Sequence, residues 1–281
     1  MRDALTGIPF PIVVKPSTSG GSDMCAICDD LDSAVAQVNR IIGATSLLGH
    51  INIGATAQEY LRGPQLFVNT VSAEGRHLVT EVFEYTLDES TTTPTIRAAH
   101  TIDPRCDDAE RAVEYVLSCL DALGVRFGAG HTEVRMTTAG PRLVEFNGRM
   151  MGPSIPADIY GEIRGYSQAD VFAEVIRCGS VEEVTIPAGR HDELGWYMLS
   201  ADVSGTIRSV DATPIRAVPG VVAVGGLPPA GATVSVDNRV TTGSLGMVWF
   251  RAADARAARG IVEEIATLEA AGTVFDIEAA A

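Results

Sequence analysis

Two carboxylates and an amide between residues 131 and 149 carry the strongest chemical signal in the chain. In HTEVR (131–135) and LVEFNGR (143–149), Glu133, Glu145 and Asn147 supply oxygen donors. Such donors suit a hard cation such as Mg²⁺, which keeps several waters and bridges to substrate phosphates. The two segments flank Thr138-Ala139-Gly140-Pro141, a turn signal. A β-hairpin is therefore expected, with strands from about His131 to Met136 and from about Arg142 to Asn147. Side chains alternate along a strand, so Glu133 shares a face with Arg135, and Glu145 with Asn147. A turn centred there sets Glu133 opposite Glu145. Opposed carboxylates roughly 5 Å apart repel, and a cation between them removes the penalty. Two solvated glutamates on an exposed sheet are the plain alternative. Arg149, two residues beyond Asn147, is placed to neutralise a phosphoryl or carboxylate group.

A second group lies at the start of the chain. Lys15 closes the apolar run IPFPIVVKP (8–16) and precedes STSGGSD (17–23). A cation there meets a phosphate while the backbone N–H groups of Ser19, Gly20, Gly21 and Ser22 cradle its oxygens. The pattern is not a Walker A loop, and a surface lysine beside a flexible loop is the competing reading. In QEYLRG (58–63), Tyr60 and Leu61 sit beside a turn, which offers an adenine an apolar slot with backbone donors and acceptors. The five histidines are scattered and no G-x-S-x-G or H-E-x-x-H occurs. His131 shares the face of Glu133, so it either touches substrate or makes a structural hydrogen bond.

The elements that must position these residues follow from periodicity. MCAIC (24–28) reads as a strand. Leu31, Val35, Val38 and Ile41 then recur at helical spacing behind the N-capping pair Asp29-Asp30. Residues 43–54 read as loop. Two β-rich runs, about 65–72 and 76–85, are joined by the hairpin signal Glu74-Gly75, with a turn before them at Arg62-Gly63-Pro64. Residues 87–105 are polar and read as a substrate-facing loop. A helix is expected from about Asp108 to Leu123, with Asp107 and Glu110 as a capping-box-like pair and Gly124 as its stop. Another spans about Gln168–Arg177 behind Ser167. Residues 181–250 are β-rich, with turns at Pro219-Gly220, Gly225-Gly226, Pro228-Pro229 and Gly243, and a last helix covers about 252–271. Mixed strands and helices with adjacent hairpins indicate an α+β architecture.

Composition narrows the function classes. The 281 residues, 46% hydrophobic, can fill one large core or two modest ones. A formal net charge of −15 argues against a broad nucleic-acid or anionic-membrane surface. The cysteines number five, and Cys25-x-x-Cys28 has no second pair to complete a zinc site, so structural thiols are expected. MRDALTGIPF has no apolar signal segment and no run approaches the ~18 apolar residues of a membrane span; a cytoplasmic protein is the expectation.

Taken in order, FPIVVKPSTSGGSDM (10–24), QEYLRGPQ (58–65), HTEVR (131–135) and LVEFNGR (143–149) resemble the ATP-grasp superfamily. The resemblance is to its carboxylate–amine ligase branch, which includes the L-amino acid ligases. It implies two α+β subdomains gripping ATP, a lid over 1–64 and a core with the metal-binding hairpin over 65–180, together with a β-rich closing lobe over 181–281. It implies that Lys15 contacts ATP phosphates under the closing loop of Ser19, Gly20, Gly21 and Ser22, and that Gln58, Glu59, Tyr60 and Leu61 line the adenine pocket. Gln65 stands where the family usually places a Glu or His for the ribose, and its amide can bond a hydroxyl. Glu133 and Glu145 would hold Mg²⁺, or Mn²⁺ in its place, with Asn147 assisting. Arg149 would stabilise an acyl-phosphate or bind a substrate carboxylate, beside His131 and Gly152. The implied partners are a small carboxylate and an amine, with HTEVR favouring amino acids. Specificity would then lie in loops 87–105 and 150–166. Such ligases carry a further α/β domain ahead of the first motif, and dimers are frequent among them. A nucleotide-binding subunit that needs a partner chain, or a carboxylase or purine-pathway ligase of the same superfamily, are the alternatives.

Overall fold

The computed structural model describes Leu5 and residues 7–88, 95–152, 155–186, 192–235 and 245–279. The architecture is α+β, and every strand pair in it is antiparallel. Strands β1 (Ile12–Pro16), β2 (Ala26–Cys28) and β3 (Ala55–Glu59) form a small sheet in the order β2-β1-β3. Alternation along β1 sends Ile12 and Val14 into a core with Cys28 and with Ala34 and Ile41 of helix α1 (Leu31–Ile41). Asp30 caps that helix: its side chain accepts from the Ser33 N–H, and Ser33 in turn accepts from the Asp30 N–H.

The larger sheet has eight strands. The hairpin β4 (Gln65–Ala73) and β5 (Arg76–Asp88) turns through Glu74 and Gly75, both left-handed, as a two-residue hairpin turn requires. After β6 (Thr95–Thr101) and helix α2 (Asp107–Ala122) comes the hairpin β7 (Gly128–Thr137) and β8 (Gly140–Asn147). Helices α3 (Ala157–Ile163) and α4 (Gln168–Cys178) follow. Ser167 and Asp170 cap α4, and Gly179 ends it at φ 79°. The chain then rejoins the sheet through β9 (Glu193–Met198). Beyond it lie β10 (Gly205–Val210), helix α5 (Thr213–Arg216), β11 (Val221–Gly225), β12 (Thr233–Val234), β13 (Met247–Ala252), helix α6 (Ala255–Ala270) and β14 (Phe275–Ala279). The large sheet runs β11-β13-β9-β6-β5-β4-β7-β8, and a third sheet runs β12-β10-β14.

Two-residue alternation divides the large sheet into faces. One packs Leu66, Val68, Val82 and Val134 against Val116 and Leu120 of α2, and farther along it packs Val248 and Phe250 against Val262 and Ile265 of α6. The other carries Phe67, Phe83, Tyr85 and Trp196 beneath Ile159, Tyr160 and Ile163 of α3. Strand β4 is covered on both sides and buried at every position. Fully burying a side chain such as Phe67 or Val68 stabilises by about 1.5–3 kcal/mol each, which makes β4 the spine from which neighbouring strands take their register.

The expected loop over 87–105 is corrected. Thr95–Thr101 is a strand, paired with β5 and β9, and Ala98, Ala99, His100 and Thr101 are buried. Two of its polar side chains find partners inside: Thr101 donates to Glu193, and Arg97 reaches Glu269, Ser200 and the Tyr197 hydroxyl. The ESTTTP part of the same stretch (89–94) lies outside the described residues, as does the turn expected at Gly243. The cap of α2 also differs. Cys106 occupies the N-cap and Asp107 is the first helical residue, so Asp107 and Glu110 supply first-turn negative charge in place of a capping box. Within 150–166, residues 157–163 form α3, and 153–154 lie outside the described residues.

Candidate active site

The small sheet stands over the face of the large sheet that carries Glu133 and Glu145, and one cavity of about 900 Å³ lies between them. Strand alternation delivers its upper wall. With Ile12 and Val14 turned into the core, Val13 and Lys15 face the cavity. Their β3 partners Gln58 and Thr56 face it too. The Tyr60 N–H donates to the Pro11 carbonyl at 3.1 Å, holding Glu59, Tyr60 and Leu61 at the rim. Behind them Gly63 is required: at φ 132°, a Cβ there would sit 2.0 Å from the Met136 carbonyl oxygen.

Residues 17–25 close the same end. The Ser19 hydroxyl donates to the Asp23 carboxylate at 2.7 Å, and that carboxylate also accepts from the Leu47 N–H at 2.8 Å. Gly21 and Ser22 are both left-handed, at φ 65° and 58°. Among the described residues the N–H groups of Ser19, Gly20, Gly21 and Ser22 donate to no protein acceptor, and all four residues line the cavity. Successive unbonded N–H groups in such a turn form a concavity suited to an anion.

The lower wall is the β7–β8 hairpin. Glu133 pairs directly with Glu145, and His131 with Asn147. A register shift follows Glu133, where Val144 is the extra residue on β8. A bulge of this kind re-aims side chains, and Val144 and Glu145 both line the cavity. Glu145 accepts from Lys15 Nζ at 3.0 Å and from Asn147 Nδ2 at 3.0 Å. Burial disfavours its carboxylate, but the Asn147 hydrogen bond and the Lys15 charge outweigh burial and hold its pKa below the ordinary value. Glu133 accepts from Gln65 Nε2 at 2.7 Å and faces His131 Nε2 at 3.3 Å. Arg149 lies exposed at the mouth, its guanidinium donating to the Met150 carbonyl.

Every residue named from the sequence as a site residue therefore lines this cavity, Gly152 and Gln65 included. Met150 and Met151 do not line it: Met150 is exposed, and Met151 packs on the aromatic face with its sulfur 3.7 Å from Asn69. Other residues were not legible. Asn69 Oδ1 accepts from His131 Nδ1 at 3.0 Å, and Asn69 Nδ2 donates to the fully buried Glu81 at 3.2 Å, which also accepts from Thr80. Burial raises the Glu81 pKa. The only hint of this chain was the shared parity of Asn69 and Gln65 on one strand. Cys25 also lines the cavity; burial, partly opposed by Lys15, pushes its thiol up to about 11, so it is a neutral wall group rather than a thiolate.

No family model matches the sequence. Dapdiamide A synthase of Enterobacter agglomerans is 29% identical over 167 residues, which is 59% of this chain and 39% of that protein. Among solved structures, the L-amino acid ligase of Bacillus licheniformis superposes with a TM-score of 0.75 at 17% identity, over 99% of this chain and 66% of that one. The biotin carboxylase domain of Hydrogenobacter thermophilus 2-oxoglutarate carboxylase, solved with MgADP, ADP and bicarbonate, superposes at 0.61 and 14% identity, over 99% and 59%. The chain thus spans about two-fifths of the curated relative and under two-thirds of either structure. Among the described residues no helix is long and apolar enough to cross a membrane. With its small sheet folded over a large antiparallel one and the expected motifs facing the cleft between them, the chain has the ATP-grasp fold and resembles the carboxylate–amine ligase branch of that superfamily.

Proposed function

We propose that this chain carries the nucleotide site and catalytic centre of an ADP-forming carboxylate–amine ligase that acts on amino acids. The observation that carries the reading is the contact of Lys15 with Glu145, 130 residues apart, at the centre of a cavity lined by all four motifs. A substrate carboxylate attacks the γ-phosphorus of ATP, the bond to ADP breaks, and the amine then displaces phosphate from the acyl-phosphate to leave an amide. The chain contributes position and charge rather than a nucleophile. Lys15 and the N–H groups of Ser19–Ser22 bind phosphate oxygens. Tyr60, Leu61 and the backbone of Gln58 and Glu59 hold the base, and Gln65 bonds a ribose hydroxyl. Arg149 neutralises the acyl-phosphate. Closure of 17–25 excludes water from it.

Glu133, Glu145 and Asn147 fit Mg²⁺ in chemistry, being oxygen donors with two opposed carboxylates. Among the described residues no cluster of three His, Cys, Asp or Glu converges as a metal site. Held by Glu133, Glu145 and Asn147, the ion would supply positive charge to offset that of the phosphates. In this reading Lys15 and Glu145 neutralise each other across the cleft until phosphate engages one and the cation the other. The test is ADP release in the presence of Mg²⁺, ATP and amino acid pairs. Amino-acid-dependent release that disappears in Glu145→Ala supports the reading, and release unchanged in that variant overturns it.

A further inference from the structure

The cavity is polarised across the sheet. Its charged residues come from β1, the 17–25 loop, β3, the β7–β8 hairpin and Arg149, whereas the wall beyond β4 is made of Tyr85 and Leu87 on β5, Ile96 on β6, Trp196 and Met198 on β9 and Met247 on β13. These residues form one continuous surface: Leu87 pairs with Ile96, and Met198 with Met247. A register shift creates it. Thr86 pairs with Ala98 and Leu87 with Ile96, so Arg97 is the extra residue of a β-bulge. The bulge turns Ile96 into the cavity. Arg97 is left to the opposite side, where it pairs with Glu269 and sits 3.0 Å from the Tyr197 hydroxyl. Without the bulge a guanidinium would compete for the place of Ile96; bulges beside active sites commonly re-aim a side chain in this way.

This region lies across β4 from the carboxylate pair, and the Tyr85 hydroxyl marks the boundary, 3.5 Å from His131 Nε2. A phenol is uncharged near neutral pH, so that boundary carries no charge. The residues assigned to adenine lie on β3 and its rim, on the other sheet. Building on the ligase reading, we propose that the surface of Tyr85, Leu87, Ile96, Trp196, Met198 and Met247 is a side-chain subsite, and that one of the two amino acid substrates carries a large apolar side chain, such as that of Leu, Met or Phe. The wall offers no counter-charge to an Asp or Lys side chain, which would lose its water there without compensation. A side chain of this size fills it with dispersion contacts and buries apolar area.

The test is calorimetric binding of single amino acids to the whole chain saturated with Mg²⁺ and a non-hydrolysable ATP analogue. Leu, Met or Phe should bind about tenfold or more tightly than Gly, Asp or Lys, since each methylene in a fitted apolar pocket is worth about tenfold or more. Met198→Trp, which fills the subsite, should reverse the order between Phe and Ala, and Ile96→Ala should relax discrimination by size. Each variant is used only if it unfolds cooperatively. Equal binding of charged and apolar amino acids, or a preference for Phe unmoved in both variants, overturns the subsite while leaving the ligase reading intact. Loss of analogue binding in Met198→Trp assigns the surface to adenine and likewise overturns it. If the analogue fails to bind the folded wild-type chain, the ligase reading falls and the subsite with it.

Discussion

At the scale of single residues, the site depends on pairs that neutralise one another across a cleft. Lys15 and Glu145 are partly exposed, at 22% and 41% of their side-chain surface, so their pairing contributes little to stability, and its replacement by ligand groups costs little. Lys15→Ala should therefore leave the unfolding temperature nearly unchanged and weaken ATP binding about 10- to 100-fold, the value of one or two charged hydrogen bonds; calorimetry of both variant and parent checks this. Asn147 steadies the Glu145 carboxylate at 3.0 Å. Asn147→Ala is expected to raise the Mg²⁺ concentration needed for half-maximal activity about tenfold, as loss of an orienting partner does.

His100 makes a different prediction. It is wholly buried, and burial first, then the Arg259 charge, push its imidazole from 6.5 to about 4. Glu84 lies 3.7 Å away, but Arg259 already engages that carboxylate at 2.6 Å, so the imidazole stays neutral. The unfolded chain takes up a proton at higher pH than the native one. The stability due to neutral His100 is thus fully present above pH 6.5 and is lost as the pH falls from 6.5 towards 4. The loss is on the order of 3 kcal/mol. Urea midpoints at pH 7 and pH 4.5, compared between wild type and a folded His100→Leu variant, should show a steeper decline in the wild type. Parallel declines would contradict the account.

At the scale of elements, the hairpin β7–β8 was legible because a Gly-Pro turn lies between two alternating runs, while the Val144 bulge that brings Glu145 opposite Glu133 left no mark in the sequence. Helix α4 was legible from Ser167 and Gly179, which act as its caps. Strand β6 was not. Its ThrIleArgAlaAlaHisThr composition lacks apolar alternation, since the bulge at Arg97 breaks the period and Thr101 and His100 are polar yet buried. Strands β3 and β14 are short and were likewise not signalled, because their partners come from distant parts of the chain. Gly63 shows how closely the rim and β7 approach: Gly63→Ala places its Cβ 2.0 Å from a backbone oxygen at φ 132°. We expect a loss of about 1–3 kcal/mol or more from backbone strain and overpacking, with weaker nucleotide binding because Tyr60 and Leu61 shift with the turn. Thermal unfolding and nucleotide titration check both.

At the scale of the whole molecule, function depends on two sheets built from separate stretches of sequence facing each other. Order and spacing of the motifs made that cleft foreseeable, but the apolar wall was not: Tyr85, Ile96, Trp196 and Met247 come from four different strands and share no local pattern. Only the large sheet brings them together. Phe67 stacks on Phe83 at 4.6 Å between the two halves of that sheet, so Phe67→Ala should cost about 3–5 kcal/mol and lower the cooperativity of unfolding.

The most direct test of the central claim is calorimetric titration of Mg-ATP into the chain, beside a Glu133→Ala/Glu145→Ala variant that unfolds cooperatively. Binding in the micromolar range that is lost in the variant is the predicted result. Equal binding by both proteins, or none to the folded wild-type chain, would contradict the assignment of the cleft to Mg-ATP.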